Sequence, residues 1–334
     1  MSHMKTEALE APDAAARFLS LNANILAEIG RQLAQRPPPA VLTSARGSSD
    51  HAAGYFKYLV EITTGVPCAS IGASVVSVYG AKLRANDCLA VTISQSGKSP
   101  DIVALQEAAK VAGAFSVAIV NTENSPAALS ADICLPLHAG PEKSVAATKS
   151  FITSLVAGAA IVAAWMQDKQ MMEGLARLPE QLSAATRLPW PDFVEHVVSA
   201  DSLYVVGRGP SLPIAAETAL KLKETCAIHA EAYSTAEVMH GPLELLGLDF
   251  PVLAFAQNDA ARVGTQAAIA KMRHTGARVV SIGGGGLLHV EALHPLLHPI
   301  LMIQTAYLAI EQVAQQLGRN PDQPHNLKKV TETV

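Results

Sequence analysis

Three strand-like ends recur along this chain at one spacing, and that recurrence limits the fold more than any other feature. Gly47 in "SARGSS" is matched by Gly209 in "VGRGPS", Gln95 in "TISQSG" by Gln257 in "AFAQND", and Val120 in "VAIVN" by Ile282 in "VVSIG". Each pair lies 162 residues apart. One offset shared by three strand ends implies two tandem copies of a single unit, joined near "ARLPEQLSAATRLPWPD". In both copies apolar runs alternate with helical segments: "AVLTSA", "LAVTIS" and "FSVAIV", then "SLYVVG", "PVLAFA" and "ARVVSI". Such alternation predicts parallel sheets covered by helices. Ahead of the first strand, Phe18, Leu21, Ile25, Ile29 and Leu33 fall at helical spacing. They predict one amphipathic helix from about Asp13 to Gln35, stopped by "RPPP". The expected divisions are a helical segment over 1–38, a first domain over 39–180 and a second over 190–334.

The chain's 334 residues suffice for two real cores. Half are apolar and few are aromatic, which suits small-residue helices on parallel strands. A formal net charge of −4 argues against nucleic acid or an anionic membrane as a general partner. Cys68, Cys88, Cys134 and Cys226 are widely spaced without a CxxC pair, so neither a disulfide framework nor a zinc knuckle is indicated. A reducing cytoplasm is the expected compartment. The start, "MSHMKTEALEAPD", shows no signal peptide, and its first residues read as a cloning remnant ahead of a start near Met4. "SFITSLVAGAAIVAAWM", Ser150 to Met166, is short for a membrane span and is read as a buried helix.

Parallel sheets bind ligands beyond the carboxyl ends of their strands. In the first copy those ends carry "ARGSSDH" (45–51) and "SQSGKSPD" (94–101). Hydroxyls and backbone N–H groups at a helix start make an anion cradle, Gly97 permits close approach, and Lys98 adds charge. An ordinary N-cap would need one serine; three hydroxyls and an amide within six residues favour an anion site. The matching turns of the second copy, "GRGPSL" and "AQNDAA", have lost most hydroxyls, so one phosphate site per chain is expected. "GRGPS" lacks the third glycine of a dinucleotide loop, because Leu212 stands there. "GGGG" at 283–286 is read as a flexible turn.

The second copy concentrates titratable groups in "ETALKLKETCAIHAEAYSTAEVMHGPLELL", 217–246. Glu217, Lys221 and Glu224 fall at helical intervals and can share a face. Two readings stand: a solvated salt bridge, or a carboxylate placed for proton transfer beside a carbonyl, with His229, Glu231 and His240 in the turn-rich stretch after it. The tail "RNPDQPHNLKKVTETV" is either frayed or folds back to deliver Lys328 or Lys329 to an anionic or carbonyl substrate.

"SARGSSDHA", "ISQSGKSPD", "EKSVAATKSF", "ALKLKETCAIHAEAY", "HGPLEL" and "NPDQPHNLKKVT", in that order, resemble the tandem sugar isomerase (SIS) domain family. The resemblance covers nearly the whole chain from about residue 20. It extends to the isomerase half of glutamine–fructose-6-phosphate aminotransferases and to stand-alone glucosamine-6-phosphate deaminases. It implies an α/β fold of two tandem SIS domains, each a parallel sheet sandwiched by helices in a flavodoxin-like three-layer arrangement. It also implies a phosphosugar site of Gly47, Ser48, Ser49, Ser94, Gln95, Ser96 and Ser99, with Val145 and Ala147 beside the sugar. Glu224 matches the family's base, Lys221 a lysine near it, and Lys329 the lysine of a closing tail. His240 matches a ring-opening histidine contributed across a homodimer. Lys98 departs from the glutamate common in the synthase.

Only some 40 residues, none of them cysteine, precede the first strand, so no glutaminase domain is expected. The expected reaction is isomerising deamination of glucosamine 6-phosphate, with no metal or cofactor. An isomerase-type homologue of glutamine–fructose-6-phosphate aminotransferase, or a deaminase or isomerase of another hexose or hexosamine phosphate, is the second reading. A phosphosugar-sensing module is the non-enzymatic one.

Overall fold

The computed structural model describes residues 1–283, 285–327 and 329. Among the described residues nine strands form two sheets, and every pairing between them is parallel. The first holds β1 (Val41–Ser44), β2 (Cys68–Ser70), β3 (Leu89–Ser94), β4 (Phe115–Val120) and β5 (Ile133–Pro136), in the order β2-β1-β3-β4-β5. The second holds β6 (Ser202–Gly207), β7 (His229–Ser234), β8 (Pro251–Phe255) and β9 (Arg278–Ile282), in the order β7-β6-β8-β9. The two orders are the same winding, and the repeat reaches the backbone: Gly47 and Gly209 both take a left-handed φ, +55° and +57°. All six strands read from apolar runs are present. The second sheet has no counterpart of β5 among the described residues.

Two compact units emerge. One comprises 13–142 and 149–176; the other comprises 1–12, 143–148 and 177–329. In the first unit the apolar segment forms the helix Lys149–Met166, long and apolar enough to cross a membrane and almost wholly buried in protein. Small residues let its neighbours close in. A Cβ on Gly158 would sit 3.3 Å from the ring of Phe56, and one on Gly30 would overlap the backbone of Ala164 at 2.6 Å.

Two expectations need correction. The single helix from Asp13 to Gln35 is two, Ala11–Leu21 and Ala23–Gln35. They break at buried Asn22, whose amide donates to the carbonyls of Phe18 at 3.1 Å and Pro136 at 2.8 Å. That side chain ties the helices to the end of β5, a contact that helical periodicity does not encode. The stretch read as turn-rich after Cys226 begins with edge strand β7, whose alternating polar residues hid it. At the N-terminus, residues His3–Leu9 form a helix capped by Ser2 that buries Met4 completely.

Candidate active site

In the first unit, β1 and β3 are neighbours whose chains leave in opposite directions to form β2 and β4, which makes their carboxyl ends the switch point of the sheet. Both candidate loops start there. After β1, Gly47 turns the chain into the helix Ser48–Thr64, which has no side-chain cap. After β3, the turn 94–99 leads into the helix Pro100–Val111, and Ser99 stands at its cap position without making the capping bond. The ordinary reading of that serine therefore does not hold. Inside the turn, Ser94 Oγ accepts from Gly97 N at 3.0 Å, and Ser96 Oγ accepts from Lys98 N at 3.4 Å. Gly97 has φ +63°, and a Cβ there would fall 2.1 Å from Ser125 Oγ, so only glycine fits. Lys98 is exposed.

Sequence reasoning missed the brace between the loops. Arg46 donates from Nε to Asp101 Oδ2 at 2.8 Å and closes a second bond through its terminal nitrogen. Asp101 is fully buried in the first turn of its helix. The motif "ARGSS…SPD" contains both residues, but nothing in their spacing shows that they pair.

In the second unit the corresponding turns are closed on themselves. Ser211 Oγ accepts from Arg208 N and reaches the carbonyls of Arg208 and Phe255. Asp259, 162 residues after Gly97, accepts from Ala261 N at 2.8 Å and from the Gln257 amide. A carboxylate thus faces the start of the helix Arg262–His274, where an anion would have to approach.

The titratable cluster lies on the helix Leu212–Lys221 and the π-helical turn Leu222–Cys226 that continues it. Widened turns of this kind concentrate at functional sites. Lys221 Nζ is buried, 3.4 Å from Glu217 Oε1 and bonded to Glu224 Oε2. Glu217 is fully buried and also accepts from Tyr307 OH at 2.9 Å. Glu224 keeps about a fifth of its side chain, 21%, open to solvent. Burial alone would push the Lys221 ammonium down, but the carboxylates of Glu217 and Glu224 outweigh it and hold the group above the usual lysine value. Two carboxylates around one cation leave a net negative charge, with its accessible end at Glu224. A solvated surface pair is excluded by this burial.

His240 sits exposed at the end of a short 3-10 turn. Its backbone N donates to Glu237 O at 3.0 Å, and its ring makes no hydrogen bond among the described residues. Val145 and Ala147 lie half-buried in the loop 143–148. That loop is clasped by both ends of the chain. Glu7 accepts from the amides of Lys143 and Ser144, and Val145 N donates to Asp322 O at 3.2 Å. Asp322 in turn accepts from His3 N and Met4 N at 2.7 Å. Lys329 Nζ donates to Ser144 O at 2.6 Å, so the tail folds back as far as that residue. Lys328, the other lysine considered, lies outside the described residues.

The SIS domain family model matches residues 36–164 and 196–287. Glutamine–fructose-6-phosphate aminotransferase (isomerizing) from Thermus thermophilus is 32% identical over 326 residues, which cover 90% of this chain and 53% of that protein. This chain spans about half the length of the curated relatives it matches. Among solved structures, a protein from Silicibacter pomeroyi DSS-3 assigned as a phosphosugar isomerase aligns with 43% identity and a TM-score of 0.92. The alignment covers 96% of this chain and 100% of that one. The C-terminal domain of glucosamine-fructose-6-phosphate aminotransferase from Francisella tularensis aligns with 27% identity and a TM-score of 0.86, covering 97% and 98%.

Proposed function

The chain belongs to the SIS domain family, and from that premise we propose that it catalyses the isomerising deamination of glucosamine 6-phosphate to fructose 6-phosphate and ammonia. One observation carries the reading: Glu224 is the solvent-facing end of an otherwise buried Glu–Lys–Glu cluster, a carboxylate fixed in position and able to exchange a proton. The sugar's phosphate is held by Ser48, Ser49, Ser94, Gln95, Ser96 and Ser99, with Gly47 shaping the first loop and Arg46 bracing both loops through Asp101. Val145 and Ala147 lie beside the sugar. The homodimer partner's copy of His240 assists ring opening.

In the open-chain substrate, Glu224 takes the proton from C2 and returns it to C1. The C1 carbonyl becomes a hydroxymethyl group as its oxygen gains a proton, and the C2 amine becomes an imine as its nitrogen loses one. Water adds to that imine, and ammonia leaves as the C2 ketone forms. Lys221 spends its protons on two carboxylates, so it acts by positioning Glu224. Lys329, on the folded-back tail, steadies the developing oxygen charge. Water is the sole co-reactant in this direction; synthesis would need a supply of ammonia.

Ammonia release from glucosamine 6-phosphate, compared with galactosamine 6-phosphate, tests the proposal. Glu224→Gln lowers turnover by roughly 10² to 10⁴ if proton transfer is the catalysed step. Near-wild-type release by that variant refutes it. The similarity to a protein assigned as a phosphosugar isomerase favours a second reading, aldose–ketose isomerisation of a hexose phosphate. Ketose formation without ammonia would select that one.

A further inference from the structure

A cluster outside the sugar chemistry has the make-up of a metal site. We propose that His289, Glu291 and His298 bind one divalent ion of the zinc class, tying the loop after β9 to the start of the helix His298–Gln316. The three donor groups lie within 4.8 Å of one another. His289 Nε2 is 2.9 Å from Glu291 Oε1, and His298 Nδ1 is 3.7 Å from Glu291 Oε2. Donors around a tetrahedral zinc at about 2.0–2.2 Å stand roughly 3.3–3.5 Å apart, and each histidine lies near that distance from one of the two Glu291 oxygens. Two imidazoles and one carboxylate, with a position left for water, suit zinc and its neighbours rather than an oxygen-seeking ion such as magnesium.

Three further observations show a built site. His298 is 1% exposed, yet neither ring nitrogen has a hydrogen-bond partner. A buried imidazole without a partner is costly unless something else occupies its lone pair. His289 Nδ1 lies 3.3 Å from Leu287 O, an outer contact that directs Nε2 towards the cluster. Finally, the loop backbone is pinned on both sides. Trp190 Nε1 donates to Leu288 O, and Gln181 Nε2 donates to Glu291 O, each at 2.8 Å. Glu291 keeps 58% of its side chain exposed, which leaves an entry path.

The site would act on structure. The helix it anchors is the one that carries Tyr307, the partner of buried Glu217. Zinc titration into chelator-treated full-length protein tests the assignment without reference to turnover. One equivalent of Zn²⁺ is expected to bind and raise the thermal midpoint, while millimolar Mg²⁺ does neither. His289→Ala and Glu291→Gln, both on the accessible loop, should weaken zinc binding by at least about 10- to 100-fold, the loss that even an outer partner causes. In the wild-type protein the His298 ring nitrogens should shift in long-range ¹H–¹⁵N spectra as zinc is added. No uptake, equal uptake by wild type and both variants, or unmoved His298 signals would each overturn the proposal.

Discussion

Replacing Lys221 by methionine removes the charge at the centre of the Glu217–Lys221–Glu224 cluster while keeping most of the side-chain length. Glu217 is fully buried, and Lys221 Nζ lies 3.4 Å from its carboxylate. Stripping the partner from a buried ion pair costs about 3–5 kcal/mol, because the remaining charge is left uncompensated in a poorly solvated place. Glu224, one-fifth open at 21%, is partly rescued by water and adds little to that figure. In a unit of this size each kcal/mol moves the thermal midpoint by roughly 2–4 °C, so a fall of about 6–20 °C is expected. Thermal and urea unfolding of the full chain provide the assay. The informative comparison is the pair Lys221→Met with Glu217→Gln, in which the stranded charge is gone and the amide still accepts from Tyr307. That double variant should recover most of the loss. A fall under about 3 °C for the single variant, or a double variant no more stable than the single, refutes the buried-pair reasoning. The pH dependence has a definite sign. Because Lys221 is raised above its ordinary value, its stabilisation is fully present below about pH 10.5 and is lost only as pH climbs through the higher folded value. Between about pH 7 and 9 the charge on Lys221 therefore contributes a constant stability.

Two further substitutions probe the neighbouring supports. Gly97→Ala combines a left-handed backbone with a Cβ 2.1 Å from Ser125 Oγ, and should cost about 1–3 kcal/mol and weaken hexose-phosphate binding. Gly65→Ala has a similar φ of +72° and open space around it, so calorimetric titration of both variants separates the clash from the strain. Tyr307→Phe removes a 2.9 Å hydrogen bond to a buried carboxylate and should cost about 1.5–3 kcal/mol in urea unfolding. In the Glu217→Gln background that cost should shrink towards the value of a neutral bond.

What the sequence made legible was whatever depends on local period or on repetition. The interior strands β1, β3, β4, β6 and β8 and the edge strand β9 carry apolar runs, and the offset shared by three pairs of strand ends predicted two copies before any contact was known. The edge strands β2 and β7 were not legible. β2 buries only Cys68 of its three residues, and β7 alternates Glu and His with small residues, so neither carries an apolar run. At the site, helical spacing placed Glu217, Lys221 and Glu224 on one face but left a surface salt bridge open, since intervals of three and four say nothing about burial. Tyr307, Arg46 with Asp101, and the clasp of Glu7 and Asp322 on the loop 143–148 all join residues far apart in the chain. No periodicity reports such pairs.

The repeat also explains why the two copies cannot exchange roles. Copies of one fold begin with equivalent switch points, and both keep the left-handed glycine after their first strand. They part at the next turn. Where the first copy has Gly97, with no side chain and hydroxyls on either side, the second has Asp259, whose carboxylate already takes the amide of Ala261 at 2.8 Å. An anion arriving there would meet like charge and find a backbone donor satisfied. Together with the loss of the hydroxyls, that exchange closes the second turn to an anion without disturbing the sheet beneath it. The helix that follows β6 is then free to bury a lysine between two glutamates, an arrangement a phosphate-binding loop does not need. Because the divergence resides in side chains at matched backbone positions, restoring the turn is a defined experiment. Asp259→Gly should leave the fold intact and lift the electrostatic bar, yet bind hexose phosphate only weakly, because the hydroxyls of 94, 96 and 99 have no equivalents among the residues around 257–261.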